Sequence, residues 1–329
     1  MTMNSALQKK KVWVTAAGTG SAFHICTIAK EHFADEIELF VSDINEPFMV
    51  AASALADHFF KVPPVKDAGY KDLMYKLLKE NEIDLIIPLI PWEQPFFAKD
   101  NQEFAELNIA TLAPDTATDE RLNDKESLAV FCQEMGIPTI RIFSSDDWKK
   151  GLIPEDSQVF LKAKAGFGSM GARKLWAKEL TEADFKDCVV QEFCGTESGT
   201  DEITVEVFNG SGKLYSIARR RLESKSGVCT KAEIVDAPEL EAVIKKLVDT
   251  LSLPVVFNVQ FVQHENQWKL MDCNLRLAAG TGLSHAAGFQ LIRGMFASFL
   301  GQNVEDSWFE TEKGIRTILR VYREIVIRE

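Results

Sequence analysis

Residues 257–276, FNVQFVQHENQWKLMDCNLR, alternate polar and apolar side chains through two successive runs. A period of two sends neighbours to opposite faces of a strand, so the segment reads as an antiparallel hairpin with one face buried. In the first run Val255, Phe257, Val259 and Phe261 point into a core while Asn258 and Gln260 share the other face; in the second, Asp272, Asn274 and Arg276 share a face. A three-residue turn at Glu265-Asn266-Gln267 sets Gln260 opposite Asp272 and Asn258 opposite Asn274, whereas a two-residue turn breaks that pairing, so the odd-length turn is expected. One carboxylate beside amide oxygens suits a hard cation such as Mg²⁺, which keeps positions for water and for phosphate oxygens. A polar face turned to solvent has the same alternation, so the pattern alone leaves both readings open.

A chain of 329 residues with 46% apolar content is long enough for about two domains with real cores. The net charge of −12 opposes nonspecific association with nucleic acid or an anionic membrane, and no local basic groove is legible. Six cysteines, at 26, 132, 188, 194, 229 and 273, form no C-x-x-C pair, which argues against a zinc knuckle and a disulfide framework. The lysines at 9–11 precede an apolar run that reaches glycine too soon for a signal peptide, and no window approaches the ~20 apolar residues of a membrane span. A cytoplasmic protein with neither nucleic acid nor membrane as partner is expected.

Strand-like runs at 12–16, 37–42 and 84–89 alternate with helical ones after Ser21 and at 70–81, the β-α-β rhythm of a parallel sheet wrapped by helices. After the first strand, Gly18-Thr19-Gly20-Ser21-Ala22-Phe23 falls short of a dinucleotide fingerprint because Phe23 holds the third glycine position, although Asp43 could serve as a ribose-binding acid. Residues 113–124 are polar and turn-rich and read as a connection between domains. A helix then opens on a capping box of Asn123 and Glu126, with Leu128, Phe131, Cys132 and Met135 as its buried stripe and Gly136 and Pro138 as its end. A second amphipathic helix is expected at 238–251.

Residues 159–176 read as two strands around a loop holding Gly166, Gly168, Ser169 and Gly171. Such a loop lets backbone N–H groups approach phosphate oxygens, with Lys162 as a point charge beside them. It is not a Walker A loop, which opens a helix, and a flexible surface hairpin would have the same composition.

The order of these pieces carries a resemblance. Lys125 on a capped helix, Lys162 with its glycine loop, Gln191-Glu192-Phe193-Cys194, the acidic strand Glu202-Ile203-Thr204-Val205-Glu206, and Gln260 followed by Asp272-x-Asn274-x-Arg276 together resemble the ATP-grasp superfamily. The branch is similar to one synthetase half of the carbamoyl-phosphate synthase large subunit; DLIIPLIPWE at 84–93 looks like its N-terminal domain, and Arg219-Arg220-Arg221-Leu222-Glu223 with Ser226-Gly227 like its substrate-side strand and loop. The implied fold combines α/β and α+β: a parallel-sheet pre-ATP-grasp domain at 1–114, then a two-subdomain ATP-grasp region at 115–329, with a small glycine-loop subdomain at about 128–193 and a C-terminal one at 194–329.

What the resemblance implies for the site is specific. Lys125, Lys162, Gly168 and Ser169 would contact ATP phosphates, Gln191, Glu192, Phe193 and Cys194 would form the adenine hinge, and Glu202 would hold the ribose, with Glu197 as its competitor. Gln260, Asp272 and Asn274 would hold Mg²⁺, or Mn²⁺ in its place, Arg276 and Lys162 would act on the transferring phosphoryl group, and Arg219 or Arg221 would reach the substrate. Two departures stand out: Asp272 replaces the usual glutamate and Leu275 the usual proline of E-x-N-P-R. The implied activity is a carboxylate-amine ligase that activates a small-molecule acid as an acyl phosphate for an amine, with a homodimer common among such enzymes. The alternatives are a non-catalytic or regulatory nucleotide-binding protein of the same fold, and a nicotinamide enzyme using the first domain. Carbamoyl-phosphate synthase itself needs two fused halves, and this chain has room for one.

Overall fold

The computed structural model describes residues 8–163, 172–195, 199–225, 227–321 and 323–327. The opening β-α-β rhythm produces β1 (Lys10–Val14), α1 (Gly20–His32), β2 (Ile37–Asp43), β3 (His58–Lys61), α2 (Tyr70–Glu80), β4 (Leu85–Ile87), α3 (Gln102–Glu106) and β5 (Ala110–Thr111). The strands pair in parallel in the order β3-β2-β1-β4-β5. Both faces of this sheet are covered, as a parallel sheet requires: Val12 and Val14 enter the core shared with α1, while Trp13 stacks on Phe40 and Phe60 on the other side. The first strand ends before the expected residue 16 because Ala16 takes a φ of 47° and the Thr15 hydroxyl bonds the buried Glu93 carboxylate at 2.5 Å. Tyr70 donates to the same carboxylate at 2.9 Å.

The polar connection at 113–124 is not a plain linker. It contains α4 (Thr116–Leu122), started by Asp115, whose side chain accepts from the Thr118 amide at 2.7 Å. Asn123 is held in helical conformation at the end of α4 by its own amide bond to the Asp119 carbonyl, so it cannot take the extended backbone of an N-cap. The cap of α5 (Lys125–Glu134) is therefore Asp124, accepting from the Ser127 amide at 2.9 Å, and the expected Asn123–Glu126 box is corrected.

A four-stranded antiparallel sheet follows, built from β6 (Ile142–Phe143), β7 (Gln158–Ala163), β8 (Arg173–Trp176) and β9 (Cys188–Glu192) in the order β6-β9-β7-β8, with α6 (Ser145–Lys149) and α7 (Glu182–Asp187) alongside. Phe143, Val159, Leu161 and Val190 give it a core of its own. The loop bearing Gly166, Gly168, Ser169 and Gly171 lies outside the described residues; the strands on either side of it pair antiparallel.

The last unit is a six-stranded sheet of β10 (Glu202–Gly210), β11 (Lys213–Lys225), β12 (Val228–Val235), β13 (Val256–His264), β14 (Gln267–Asn274) and β15 (Ile318–Leu319), ordered β14-β13-β10-β11-β12-β15. One face buries Ile203, Val205, Val259, Phe261 and Leu270 under α5 and under α8 (Pro238–Thr250). The opposite face is apolar only at one end, where Phe208, Ile217 and Val256 meet α10 (Leu291–Phe299) and, through it, α1 of the first domain. A short helix, α9 (Thr281–Ala286), closes that end. All six cysteines are free thiols, and among the described residues no helix is long and apolar enough to cross a membrane.

The β13–β14 hairpin forms the expected pairs by an unexpected route. Its turn has two residues, Glu265 and Asn266, at φ of 50° and 61°, the left-handed pair of a type I′ turn, and not three. Phe261 pairs with Leu270, the register then shifts past Met271, and Gln260 meets Asp272 and Asn258 meets Asn274. A β-bulge thus restores the pairing that the shorter turn would have broken.

The first domain meets the C-terminal unit through α1 and α9, where His24 and His285 stand edge to face at 4.8 Å between ring centroids. Burial first, then the charges of His285 and Arg320, push the His24 pKa down from 6.5 to about 4. Burial also lowers His285, with Glu31 raising it and His32 lowering it. A histidine whose folded pKa lies below its unfolded value binds its proton more readily when unfolded, so stability is full above pH 6.5 and falls as the pH drops towards 4. Urea midpoints at pH 7 and pH 5 should therefore differ more in the wild type than in His24→Gln; equal differences would remove this contact as a source of acid sensitivity.

Candidate functional site

Strand register assembles the site on the polar part of the six-stranded sheet, beyond the apolar end packed on α10. Across that face run Asp272, Gln260, Thr204 and Arg219, each opposite the next on β14, β13, β10 and β11. One step towards α9 lie Asn274, Asn258 and Glu206; one step the other way lie Glu202 and Arg221. Alternation puts all of them on one side because Ile203, Val205, Val259 and Cys273 are committed to the core beneath.

At the centre is a buried ion pair. Arg219 is 1% and Glu206 0% exposed, with Nη2 of the arginine 3.1 Å from Oε2 of the glutamate. Thr281 donates to Glu206 at 2.5 Å and Ser284 to its other oxygen. Both donors stand on α9, so the carboxylate ties the sheet to the segment 277–281. Gly280 lies flat against the guanidinium: a Cβ there would fall 2.7 Å from Nη2 and 2.8 Å from Nη1. In the sequence, Glu206 is marked only as a glutamate on the same strand face as two arginines of the neighbouring strand, and no local pattern points to Thr281 or Ser284.

The metal-type residues come together as the pairing demanded. The Asn274 side-chain amide donates to Asn258 Oδ1 at 3.4 Å, and the Asn258 side-chain amide donates to the Arg276 backbone carbonyl at 3.0 Å. Arg276 is half-buried, which lowers its pKa while the Asp272 charge raises it, and its guanidinium donates to the Leu277 carbonyl at 3.3 Å and to Asn274 Oδ1 at 3.4 Å. Across the cleft, Lys162 on β7 is buried enough to lower its pKa; Asp272 and Glu202 oppose that shift and the neighbouring Lys125 adds to it. Asp272 thus acts on both Lys162 and Arg276, and Lys125 at the start of α5 stands beside Lys162.

The hinge candidates divide by chemistry. Gln191 is buried on β9. The Glu192 carboxylate accepts from Lys269 and from the Arg141 amide, both at 2.7 Å, so it anchors the small sheet to β14. The Glu192 and Phe193 amides donate to the carbonyls of Arg141 and Gln158. Phe193 carries Lys174 over its ring at 4.6 Å. The Cys194 thiol is pushed up to about 12, by burial first and by Glu192 second. Although Glu192, Cys194 and His264 lie within 4.8 Å of one another, a protonated thiol beside a lysine-bound carboxylate is a poor metal cage.

Among the arginines of β11, alternation separates Arg220, which pairs with Asp201 at 3.0 Å on the other side. Arg221 is bound to Glu202 at 3.0 Å, to Ser224 at 2.8 Å and to the Gly227 carbonyl at 3.1 Å, and Thr200 donates to Glu202 at 2.8 Å. Glu197 and Ser226 lie outside the described residues. In the first domain, Asp43 is not available for a ribose: it accepts from the Gly18 amide at 2.6 Å and from Asn45 twice, and it holds the glycine turn.

Removing one partner of a buried ion pair leaves the other charge without water or counterion. Glu206→Gln should therefore cost about 3–5 kcal/mol in denaturant unfolding, and adding Arg219→Met should recover much of it. A loss below about 1 kcal/mol for Glu206→Gln would mean that the pair is solvated.

Comparison with known proteins agrees with this geometry. Residues 12–112 match the model of the PylC-like N-terminal domain, and residues 184–319 match that of the ATP-grasp in the biosynthetic pathway with Ter operon. No curated protein matches the chain in sequence. Among solved structures, N5-carboxyaminoimidazole synthetase from Staphylococcus aureus superposes with a TM-score of 0.68 at 14% identity, covering 90% of this chain and 78% of that one. The biotin carboxylase domain of 2-oxoglutarate carboxylase from Hydrogenobacter thermophilus, a dimer in complex with MgADP and bicarbonate, reaches 0.72 at 16% identity, covering 93% and 72%. Biotin carboxylase from Campylobacter jejuni reaches 0.67 at 17%, covering 91% and 72%. With the polar sheet face, the opposed small sheet and the two family matches in agreement, residues 184–319 carry an ATP-grasp domain behind a PylC-like N-terminal domain at 12–112.

Proposed function

We propose that this chain is an ATP- and Mg²⁺-dependent ligase that activates a small-molecule carboxylate as an acyl phosphate and passes it to an amine or similar nucleophile. The observation that carries the proposal is the placement of Asp272, Gln260 and Asn274 on one sheet face, with Arg276 just beyond the end of β14 and the half-buried Lys162 both acting on the same carboxylate. The domain division at 114/115 and a homodimer belong to the same proposal. The free cysteines support a cytoplasmic setting.

The donor set fits a dication: one carboxylate and two side-chain amides leave coordination positions for phosphate oxygens. Asp272, Gln260 and Asn274 would hold it, and when bound it would neutralise charge on the transferring phosphoryl group. The rest of the work falls to the chain. Lys162, taken out of water by its burial, presents a cation that needs a permanent anionic partner, and the β- and γ-phosphates supply one. Arg276, held by the Leu277 carbonyl and Asn274, offers a fixed guanidinium where negative charge builds during transfer. Lys125 adds a second phosphate contact, and Gly168 and Ser169 belong to the loop assigned to cover the phosphates. With the Glu192 and Phe193 amides already engaged, adenine would be read by the remaining backbone groups of Gln191 to Cys194. Glu202, oriented by Arg221 and Thr200, is assigned to the ribose. Enclosure between the two sheets would protect an acyl phosphate from hydrolysis.

In calorimetry Mg-ATP should bind saturably and NAD should not; the reverse result would overturn the assignment. Asp272→Asn nearly preserves volume but removes the strongly anionic ligand. Turnover and Mg²⁺ affinity should fall by about tenfold or more, since even outer-shell changes cost that much, with circular dichroism unchanged. Wild-type turnover with the same Mg²⁺ midpoint would return Asp272 to the role of an exposed polar edge.

A further inference from the structure

At the edge of the six-stranded sheet the chain runs on into a segment that the fold leaves unpaired. β15 is the outermost strand, and it meets β12 with Ile318 opposite Ala232 and Leu319 opposite Lys231. The two strands are antiparallel, so each step along β15 moves back along β12, which begins at Val228, and the ladder runs out before Arg323. Residues 323–327 pair with no strand among the described residues. Ile315 and Ile318 pack against buried cores, whereas Ile325, Val326 and Ile327 join no buried cluster among the described residues, and Val326 is 67% exposed. Arg323 and Glu324 are exposed and form no ion pair among the described residues.

The sequence of this segment is complementary to itself. Residues 323–329 read REIVIRE, so a second copy running antiparallel about Val326 sets Arg323 opposite Glu329, Glu324 opposite Arg328, Ile325 opposite Ile327 and Val326 opposite its own equivalent. Arg328 and Glu329 lie outside the described residues and enter the match by their order in the chain. Every charge meets its opposite, and every apolar side chain meets another. Directly opposite residues share a face, so one face of the ribbon carries isoleucines between ion pairs and the other carries valines between ion pairs. A centre one residue away destroys the match: about Ile325, Arg323 falls opposite Ile327 and Glu324 opposite Val326, and about Ile327, Glu329 falls opposite Ile325 and Arg328 opposite Val326. Parallel in-register pairing sets like charges side by side. Isoleucine and valine favour extended backbone, and an edge strand with unpaired backbone groups is a template for adding another.

We propose that residues 323–329 of two copies of this chain pair as an antiparallel β-ribbon about Val326, an isologous two-fold contact at the edge of the six-stranded sheet. The proposal rests on the homodimer included in the proposed function and gives it a surface, and it uses none of the residues assigned to nucleotide, metal or substrate. A ribbon of this length buries less than a standard interface, so the dimer is weak and concentration-dependent.

The test is sedimentation velocity of the full chain at rising concentration, with Glu324→Arg, Arg328→Glu and Val326→Lys beside the wild type. The wild type should pass from monomer to dimer. Either charge reversal sets like charges opposite each other twice across the two-fold and should weaken the dimer by about tenfold or more. Mixing the two reversed variants makes both contacts attractive again in the mixed pair, so dimer should return to about the wild-type level, a rescue that damage to the fold would not give. Val326→Lys, which brings two ammoniums together at the axis, should leave monomer. A wild type that stays monomeric, variants that dimerise like the wild type, no recovery on mixing, or assemblies that grow beyond the dimer would overturn the assignment. Dimers untouched by the variants would remove this surface and leave the homodimer, a monomeric wild type would remove both, and Mg-ATP calorimetry judges the ligase reading separately from either.

Discussion

The site depends on one buried charge pair. Glu206 and Arg219 are both withdrawn from water, and further polar contacts offset the cost of burying such a pair. Glu206 is completed by Thr281 and Ser284, which fixes where the chain goes after Arg276. That path places Gly280 against Arg219 and turns the carbonyls of 277–280 towards protein donors. An apolar pair of similar volume would pack the sheet against α9, yet it would lose the hydroxyl bonds that fix where α9 stands.

Much of the fold was legible because it rests on periodicities that burial enforces. The β-α-β rhythm of the first third predicted the parallel sheet, and period-two alternation placed Asn258, Gln260, Asp272 and Asn274 on one face, where the register puts them. The turn was not legible, since a bulge at Met271 adds the residue that a two-residue turn lacks; both solutions conserve the buried face, which is all that alternation reports. The helix cap moved by one residue for a similar reason. Asn123 and Asp124 are both good caps, and only the presence of α4, hidden in a segment that reads as a linker, decides between them.

Site residues were legible as a face and not as partners. Alternation shows that Glu206 shares a side with Arg219 and Arg221, but not that α9 covers Glu206 and seals it with hydroxyls. It likewise shows Asp43 at a strand end, where a ribose acid would stand, but not that the Gly18 amide already uses it. Glu192 has the same history: its place in the hinge was visible, its bond to Lys269 of a distant strand was not. Long-range pairing decides whether a polar side chain is structural or available, and no local pattern encodes it.

Charge accounting across the cleft shows why an acidic chain can carry an anion site. With a net charge of −12, the surface field repels anions at long range. Within the cleft the pairs cancel: Glu206 offsets Arg219, Glu202 offsets Arg221, and Glu192 offsets Lys269. Lys162 and Arg276 remain, with Asp272 as the carboxylate that acts on both, and Lys125 adds its charge beside Lys162. Partial burial makes such cations costly, as the lowered pKa values of Lys162 and Arg276 record. A polyanion entering with its own dication relieves that cost, and the binding free energy so released acts where charge is transferred.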